Sequence, residues 1–154
     1  MAETAYVALG SNMGDAKSNI EAAVTALNTV PGITVDAVSP VYETKPWGYE
    51  DQNNFCNACV RLRVDISPEA LLGVCLGIEA GLGRIHKFTN GPRVIDIDVL
   101  IYKGQERNTR ELILPHPRMN ERDFVLVPLK DVAQEDMIAS LEEKIRNLTE
   151  HYIV

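Results

Sequence analysis

Phe55-Cys56-Asn57-Ala58-Cys59-Val60-Arg61-Leu62-Arg63-Val64 alternates without a break. Successive side chains of an extended chain point to opposite faces. Cys56, Ala58, Val60, Leu62 and Val64 therefore share one face of a strand, and Phe55, Asn57, Cys59, Arg61 and Arg63 share the other. Just beyond, Ser67-Pro68-Glu69 opens a helix with a capping hydroxyl, a proline at the first helical position and an acid. Leu71, Cys75, Ile78 and Leu82 form its apolar face, and Gly81 and Gly83 mark its end. Gly73 and Gly77 share a face of this helix and are read as permitting close packing.

On the N-terminal side, Ala5 to Leu9 reads as a short buried strand broken by Gly10-Ser11-Asn12-Met13-Gly14. Asp15 caps a helix whose residues Ile20, Ala23, Val24 and Leu27 share a face, and Pro31-Gly32 ends it. Ile33 to Tyr42 is β-rich, with Pro40 marking an edge or a bulge. A polar loop from Thr44 to Gln52 carries two exposed aromatics, Trp47 and Tyr49. On the C-terminal side, Val94 to Tyr102 is a second clear strand and Arg110 to Leu114 a short one. Phe124 to Val127 is a further apolar run. Ser140 and Glu143 fit a capping box for a last helix carrying Leu141, Ile145, Leu148 and Tyr152. The order predicts an α+β fold: a ferredoxin-like β-α-β-β-α-β core with extra C-terminal strands and a helix. Helices pack on one face of a mostly antiparallel sheet, leaving the other face to build a site.

A length of 154 residues and 45% hydrophobic content predict one domain, 1–154, around one core. A net charge of −7 argues against nucleic acid, whose binders neutralise phosphates. No apolar run approaches the roughly 18 residues of a membrane span, and Met1 to Thr4 does not read as a signal peptide. Three cysteines, an odd number, predict reduced thiols in a cytoplasmic protein. Cys56 and Cys59 face opposite ways on a strand, so they are packing residues rather than half a zinc site.

The chemistry concentrates in Gly91-Pro92-Arg93-Val94-Ile95-Asp96-Ile97-Asp98-Val99-Leu100. On a strand Asp96 and Asp98 share a face, roughly 6.5–7 Å apart, while Ile95, Ile97, Val99 and Ile101 face the core. Two acids inside an apolar strand repel and lose hydration, and a cation between them relieves both. Mg²⁺ suits the pair, because it takes one or two carboxylates and completes its shell with water and phosphate oxygens. Two acids on a solvated sheet face are the alternative. Arg84, His86, Lys87 and Arg93 crowd just before the acids, as a polyphosphate requires, or as a solvated basic loop. His116 lies between prolines with Arg118 and Arg122 close behind, placed either to donate to phosphate or to serve structure. Phe55 and Asn57 share a face suited to stacking and hydrogen-bonding a planar heterocycle, or to edge packing under the Trp47 loop.

These segments together resemble the 6-hydroxymethyl-7,8-dihydropterin pyrophosphokinases of folate biosynthesis. Gly91 to Leu100 matches the family signature. Ala8-Leu9-Gly10-Ser11-Asn12, Tyr42-Glu43-Thr44, Phe55-x-Asn57, Gly83-Arg84 and Pro115-His116-Pro117-Arg118-Met119 support it. The resemblance implies an enzyme that transfers pyrophosphate from ATP to the hydroxymethyl group of the pterin, releasing AMP. It implies two Mg²⁺ ions bound with ATP and held by Asp96 and Asp98. Arg84 and Arg93 join these acids as catalytic residues. It implies nucleotide contacts from Glu79, Arg84, His86, Arg93, Ile97, Arg110, His116 and Arg122. Thr44, Pro46, Trp47, Phe55, Asn57 and Phe124 would bind the pterin. Asn90 stands where the best-known members carry a Trp before Gly-Pro-Arg, in a loop one residue shorter. Glu111 stands at a basic family position, with Arg110 one place earlier. ATP and the pterin are the expected partners of a monomer, without nucleic acid or membrane. Two other readings are another Asp-x-Asp metal-dependent nucleotide-using transferase and a non-catalytic ferredoxin-like ligand-binding module. Neither accounts for Phe55, Asn57, Phe124 and the acid pair as one group.

Overall fold

The structure, a computed structural model, describes residues 2–83 and 91–154. A four-strand path runs β2 (Ile33–Val38), β4 (Phe55–Val64), β1 (Glu3–Ser11), β5 (Asp96–Tyr102), and β3 (Tyr42–Thr44) pairs with β4 further along. Every pairing in it is antiparallel. The break between β2 and β3 falls at Ser39, Pro40 and Val41, where proline leaves no donor for the ladder. A small hairpin, β6 (Arg107–Asn108) with β7 (Ile113–Leu114), follows β5.

Helices α1 (Ala16–Thr29) and α2 (Pro68–Gly81) start where their caps direct. Asp15 accepts from the Ser18 N–H and Ser67 from the Ala70 N–H. Their apolar stripes, Ile20, Ala23 and Leu27 with Leu71 and Cys75, close over Val7, Leu9, Val60, Leu62, Ile97 and Val99. Each large side chain buried there contributes about 1.5–3 kcal/mol. Gly73 and Gly77 do not serve this contact, since a Cβ on either would meet nothing within 4 Å.

The opposite face is half covered, contrary to the expectation that it is left free. Helices α3 (Asp123–Val132) and α4 (Glu135–Arg146) bury Leu126, Leu129, Val132 and Leu141 against Tyr6, Cys59 and Leu100. The Phe124–Val127 run is thus the start of a helix. Helix α4 begins after Gln134, six residues before the expected capping serine, so Ser140 lies inside it and Tyr152 beyond it. A bulge corrects β5 as well. Val7 pairs with Val99 but Tyr6 with Ile101, leaving Leu100 as an extra residue. Beyond it Ile101 packs with the α3 side and Tyr102 with the α1–α2 side.

The chain ends beside β3. Thr44 bridges to Ile153, the Lys45 N–H donates to Tyr152 O (2.7 Å) and the Val154 N–H donates to Glu43 O (2.9 Å).

Candidate active site

The uncovered half of the second face is a cavity whose floor is made of small residues. Across the sheet, Asn57 pairs with Gly10 and Gly10 with Asp96; one step along, Cys59 pairs with Ala8 and Ala8 with Asp98. A Cβ on Gly10 would stand 2.8 Å from Asn57 Oδ1. Only glycine lets the carboxamide lie over the strand. A glycine inside a strand pattern signals such close approach, so Gly10 was open to detection from sequence.

The walls come from three segments. Phe55, Asn57, Thr44, Lys45 and Trp47 line one side, Phe124, Val125 and Arg122 another, and Gly91 and Arg93 a third, with Asp96 and Asp98 at the base. Asn57 Nδ2 donates to Thr44 Oγ1 at 2.6 Å, so its carboxamide orientation is set by a buried hydroxyl. Pro46 is half-buried beside these residues but does not line the cavity. Trp47 is half-buried rather than exposed. The Arg122 guanidinium lies 4.4 Å from its ring centroid and Arg118 5.3 Å, and Arg122 is also 5.8 Å from the Phe124 ring. Burial lowers the Arg122 pKa, with Asp98 the strongest opposing influence. Arg122 thus lines the cavity with Trp47 and Phe124 and is also close enough to act on His116.

Arg93 is buried and its Nη1 donates to Gly91 O at 2.6 Å. Its backbone is pinned by Asn12: the Arg93 N–H donates to Asn12 Oδ1 (2.8 Å) and the Asn12 N–H to Arg93 O (3.0 Å). Asn12 Nδ2 also donates to Gln52 Oε1 and Asn53 O. One carboxamide therefore joins the end of β1, the Trp47 loop and the approach to β5. Asn12 stands in a matching segment of the sequence, but its reach across about 40 and 80 positions leaves no local pattern.

Next to the cavity is a second cleft. Asp98, Ile97, Arg110, Glu111 and His116 line it together with Leu72, so Asp98 borders both spaces. His116 Nδ1 accepts from the Arg118 N–H at 3.2 Å, which leaves the proton of a neutral ring on Nε2. Burial, then Arg122 and Arg118, lowers its pKa. Glu79 lines neither space: buried in α2, its Oε2 accepts from the Ile97 N–H at 2.7 Å and fixes the strand that carries the acids. Arg84 and His86 lie outside the described residues.

Asp96 and Asp98 fit a hard divalent ion. Both are half-buried carboxylates on one strand face, paired across the sheet with the small residues Ala8 and Gly10. Among the described residues no group of three or more His, Cys, Asp or Glu forms a complete metal cage. This donor set suits an ion that completes its shell with water and phosphate oxygens.

Comparison with known proteins gives a consistent result. A family model described as 7,8-dihydro-6-hydroxymethylpterin-pyrophosphokinase (HPPK) matches residues 6–134. A 2-amino-4-hydroxy-6-hydroxymethyldihydropteridine pyrophosphokinase of Methylorubrum extorquens is 49% identical over 134 residues, covering 87% of this chain and 85% of the relative. The Bacillus subtilis protein of the same name is 44% identical over 135 residues, covering 88% and 81%. A solved HPPK-DHPS structure in complex with substrates superposes with a TM-score of 0.68 over 95% of this chain at 15% identity. That superposition supports the fold, and this chain spans 43% of that longer one. From the first strand to the start of α4, then, sequence and architecture agree, and the chain belongs to the 7,8-dihydro-6-hydroxymethylpterin-pyrophosphokinase family.

Proposed function

We propose that one domain spanning 1–154 transfers the pyrophosphoryl group of ATP to 6-hydroxymethyl-7,8-dihydropterin, using the two adjoining spaces as its substrate sites. The family and its named relatives supply the reaction. The observation that carries the assignment of residues is that one cavity unites Phe55, Asn57 and Phe124 with Asp96 and Asp98. A planar pterin entering there meets two aromatic rings, the Asn57 carboxamide and the Thr44–Lys45 backbone, which together suit a flat hydrogen-bonding edge.

The nucleotide would lie in the neighbouring cleft, with His116 Nε2–H and Arg110 directed to phosphate or sugar oxygens and Arg93 and Arg122 to the polyphosphate. Asp96 and Asp98 would hold Mg²⁺, which when bound neutralises charge on the phosphate oxygens. Because Asp98 borders both spaces, the polyphosphate would end where the pterin's hydroxymethyl group begins. The hydroxymethyl oxygen would then give up its proton to water and form a bond to the β-phosphorus, while the bond from that phosphorus to the α–β bridging oxygen breaks and AMP leaves. Holding both partners in one geometry and neutralising the charge supply most of the acceleration. Three free cysteines suit a reducing, cytoplasmic setting. Among the described residues no helix is long and apolar enough to cross a membrane.

Incubation with ATP, Mg²⁺ and the hydroxymethyl dihydropterin tests the reading. AMP and a pyrophosphorylated pterin are expected; ADP as the sole nucleotide product would place the transfer at the γ-phosphorus and overturn it.

A further inference from the structure

The last residues of the chain reach both walls of the pterin cavity. On one wall, Tyr152 to Val154 lie along the edge of β3 that β4 does not use. They meet it through the Thr44–Ile153 bridge and the Lys45 and Val154 hydrogen bonds. Thr44 is the residue whose hydroxyl orients Asn57. On the other wall, Asp123 opens α3 and is 4% exposed. Its Oδ2 accepts from the N–H groups of Tyr152 (2.9 Å) and Ile153 (3.3 Å). The Tyr152 ring meets Phe124 edge-on, centroids 5.7 Å apart at 86°. The family match ends at residue 134 and covers none of this tail.

We propose that Asp123 and the tail strand 152–154 are positioning elements for the pterin, setting the gap between the Phe55–Asn57 wall and Phe124. This rests on the reading of the cavity as the pterin site. The physical reason is direct. Strand β3 is three residues long, and the hydrogen bond that ties it directly to α3, from Tyr42 Oη to Asp131 Oδ2, lies at the ends of both elements away from Thr44 and Phe124, so at the cavity end the tail links the two walls. A buried carboxylate accepting two backbone N–H groups is a strong, directional tie. The same two tail residues are paired to β3 on their other side, so a shift of either wall must break a hydrogen bond. A preformed slot binds a flat ligand without first ordering its walls. ATP, in the neighbouring cleft, would meet the α3 wall at Arg122 and not at Asp123, Phe124 or the tail.

The test is steady-state AMP formation, with pterin and ATP varied separately, in the parent chain and in Asp123→Ala, Asp123→Asn and Tyr152→Ala. Asp123→Ala is expected to raise the pterin KM about tenfold, as loss of charge-assisted bonds implies, with the ATP KM unchanged. Asp123→Asn should restore most of the loss, because a carboxamide oxygen can accept the same two bonds. Tyr152→Ala keeps the backbone ties and should fall between; it decides the matter if Asp123→Ala does not fold. A parent-like pterin KM, an equal rise in both KM values, or no rescue by Asn would each overturn the proposal. If the parent makes no AMP, the reaction assigned to the chain fails instead, and calorimetric pterin binding to the same variants still decides the role of the tail.

Discussion

The two faces of the sheet use the same strands for opposite purposes. On the α1–α2 side, Val7, Leu9, Val60, Leu62, Ile97 and Val99 meet two apolar helix stripes, and the buried Glu79 carboxylate is taken up by the Ile97 N–H. On the other side the strands present Tyr6, Cys59 and Leu100 to α3 and α4 at one end, then Ala8, Gly10, Asn57, Asp96 and Asp98 to a cavity at the other. A strand with period two must serve both faces at once. The closed face supplies the stability that lets the open one carry acids and a carboxamide with small residues beneath them. Stability and chemistry should therefore respond separately to substitutions two residues apart or less.

The largest separation is expected between Asp98→Asn and Leu62→Ala. Asp98→Asn should cut turnover by about two to three orders of magnitude, while its melting temperature moves little. Leu62→Ala should cost about 2–5 kcal/mol of stability with turnover per folded molecule close to the parent's. Thermal melts and rates corrected for folded fraction measure both; an active but strongly destabilised Asp98→Asn would erase the distinction and the metal assignment with it. Next in size, Asn57→Ala should weaken pterin binding by about 1–3 kcal/mol and leave ATP binding unaltered, as read by calorimetry. Equal losses for both ligands would make Asn57 a fold residue.

Gly10→Ala sharpens the comparison at the floor. The new Cβ displaces Asn57 from its rotamer at a cost of about 0.5–1.5 kcal/mol, so pterin affinity should fall, though by less than in Asn57→Ala. An unchanged pterin affinity would show that the carboxamide's place over β1 is immaterial. The smallest effect concerns His116. Its folded pKa lies below the ordinary 6.5, through burial and then Arg122 and Arg118. The stability that it contributes is present above pH 6.5 and is lost as the pH falls through the lowered value. In His116→Asn the stability difference between about pH 7 and pH 5 should shrink, as measured by urea unfolding. An identical acid limb in both proteins would assign the loss to other groups.

The closed face and the acids were legible in the sequence because their signals are local. The alternation in 55–64 and the Asp96–Asp98 spacing need no partner to be read. The capping residues Asp15 and Ser67 also worked as expected. What failed was set by distant contacts. The Val125, Leu126, Leu129 and Val132 stripe of α3 is short, rich in β-branched residues and carries Pro128 inside it, so it reads as a plain apolar run. Helix α4 starts after Gln134, which makes no side-chain cap, and the serine further on has the spacing of a start without being one. The bulge at Leu100 turns Ile101 to the other face, and nothing in the run of β-formers announces it. In the site, the residue types were legible, whereas the ties made by Asn12 and Asp123 depend on which loops the fold brings together.

Trp47 is the single tryptophan of the chain, and two guanidinium groups rest against its indole at the edge of the cavity. The protein therefore carries its own optical probe at the edge of the cavity proposed to take the pterin. Any ligand that draws Arg122 away, or lays a ring beside the indole, changes the electric field acting on that chromophore. Intrinsic emission excited at the indole band should thus titrate with substrate occupancy in the unmodified chain, without a label.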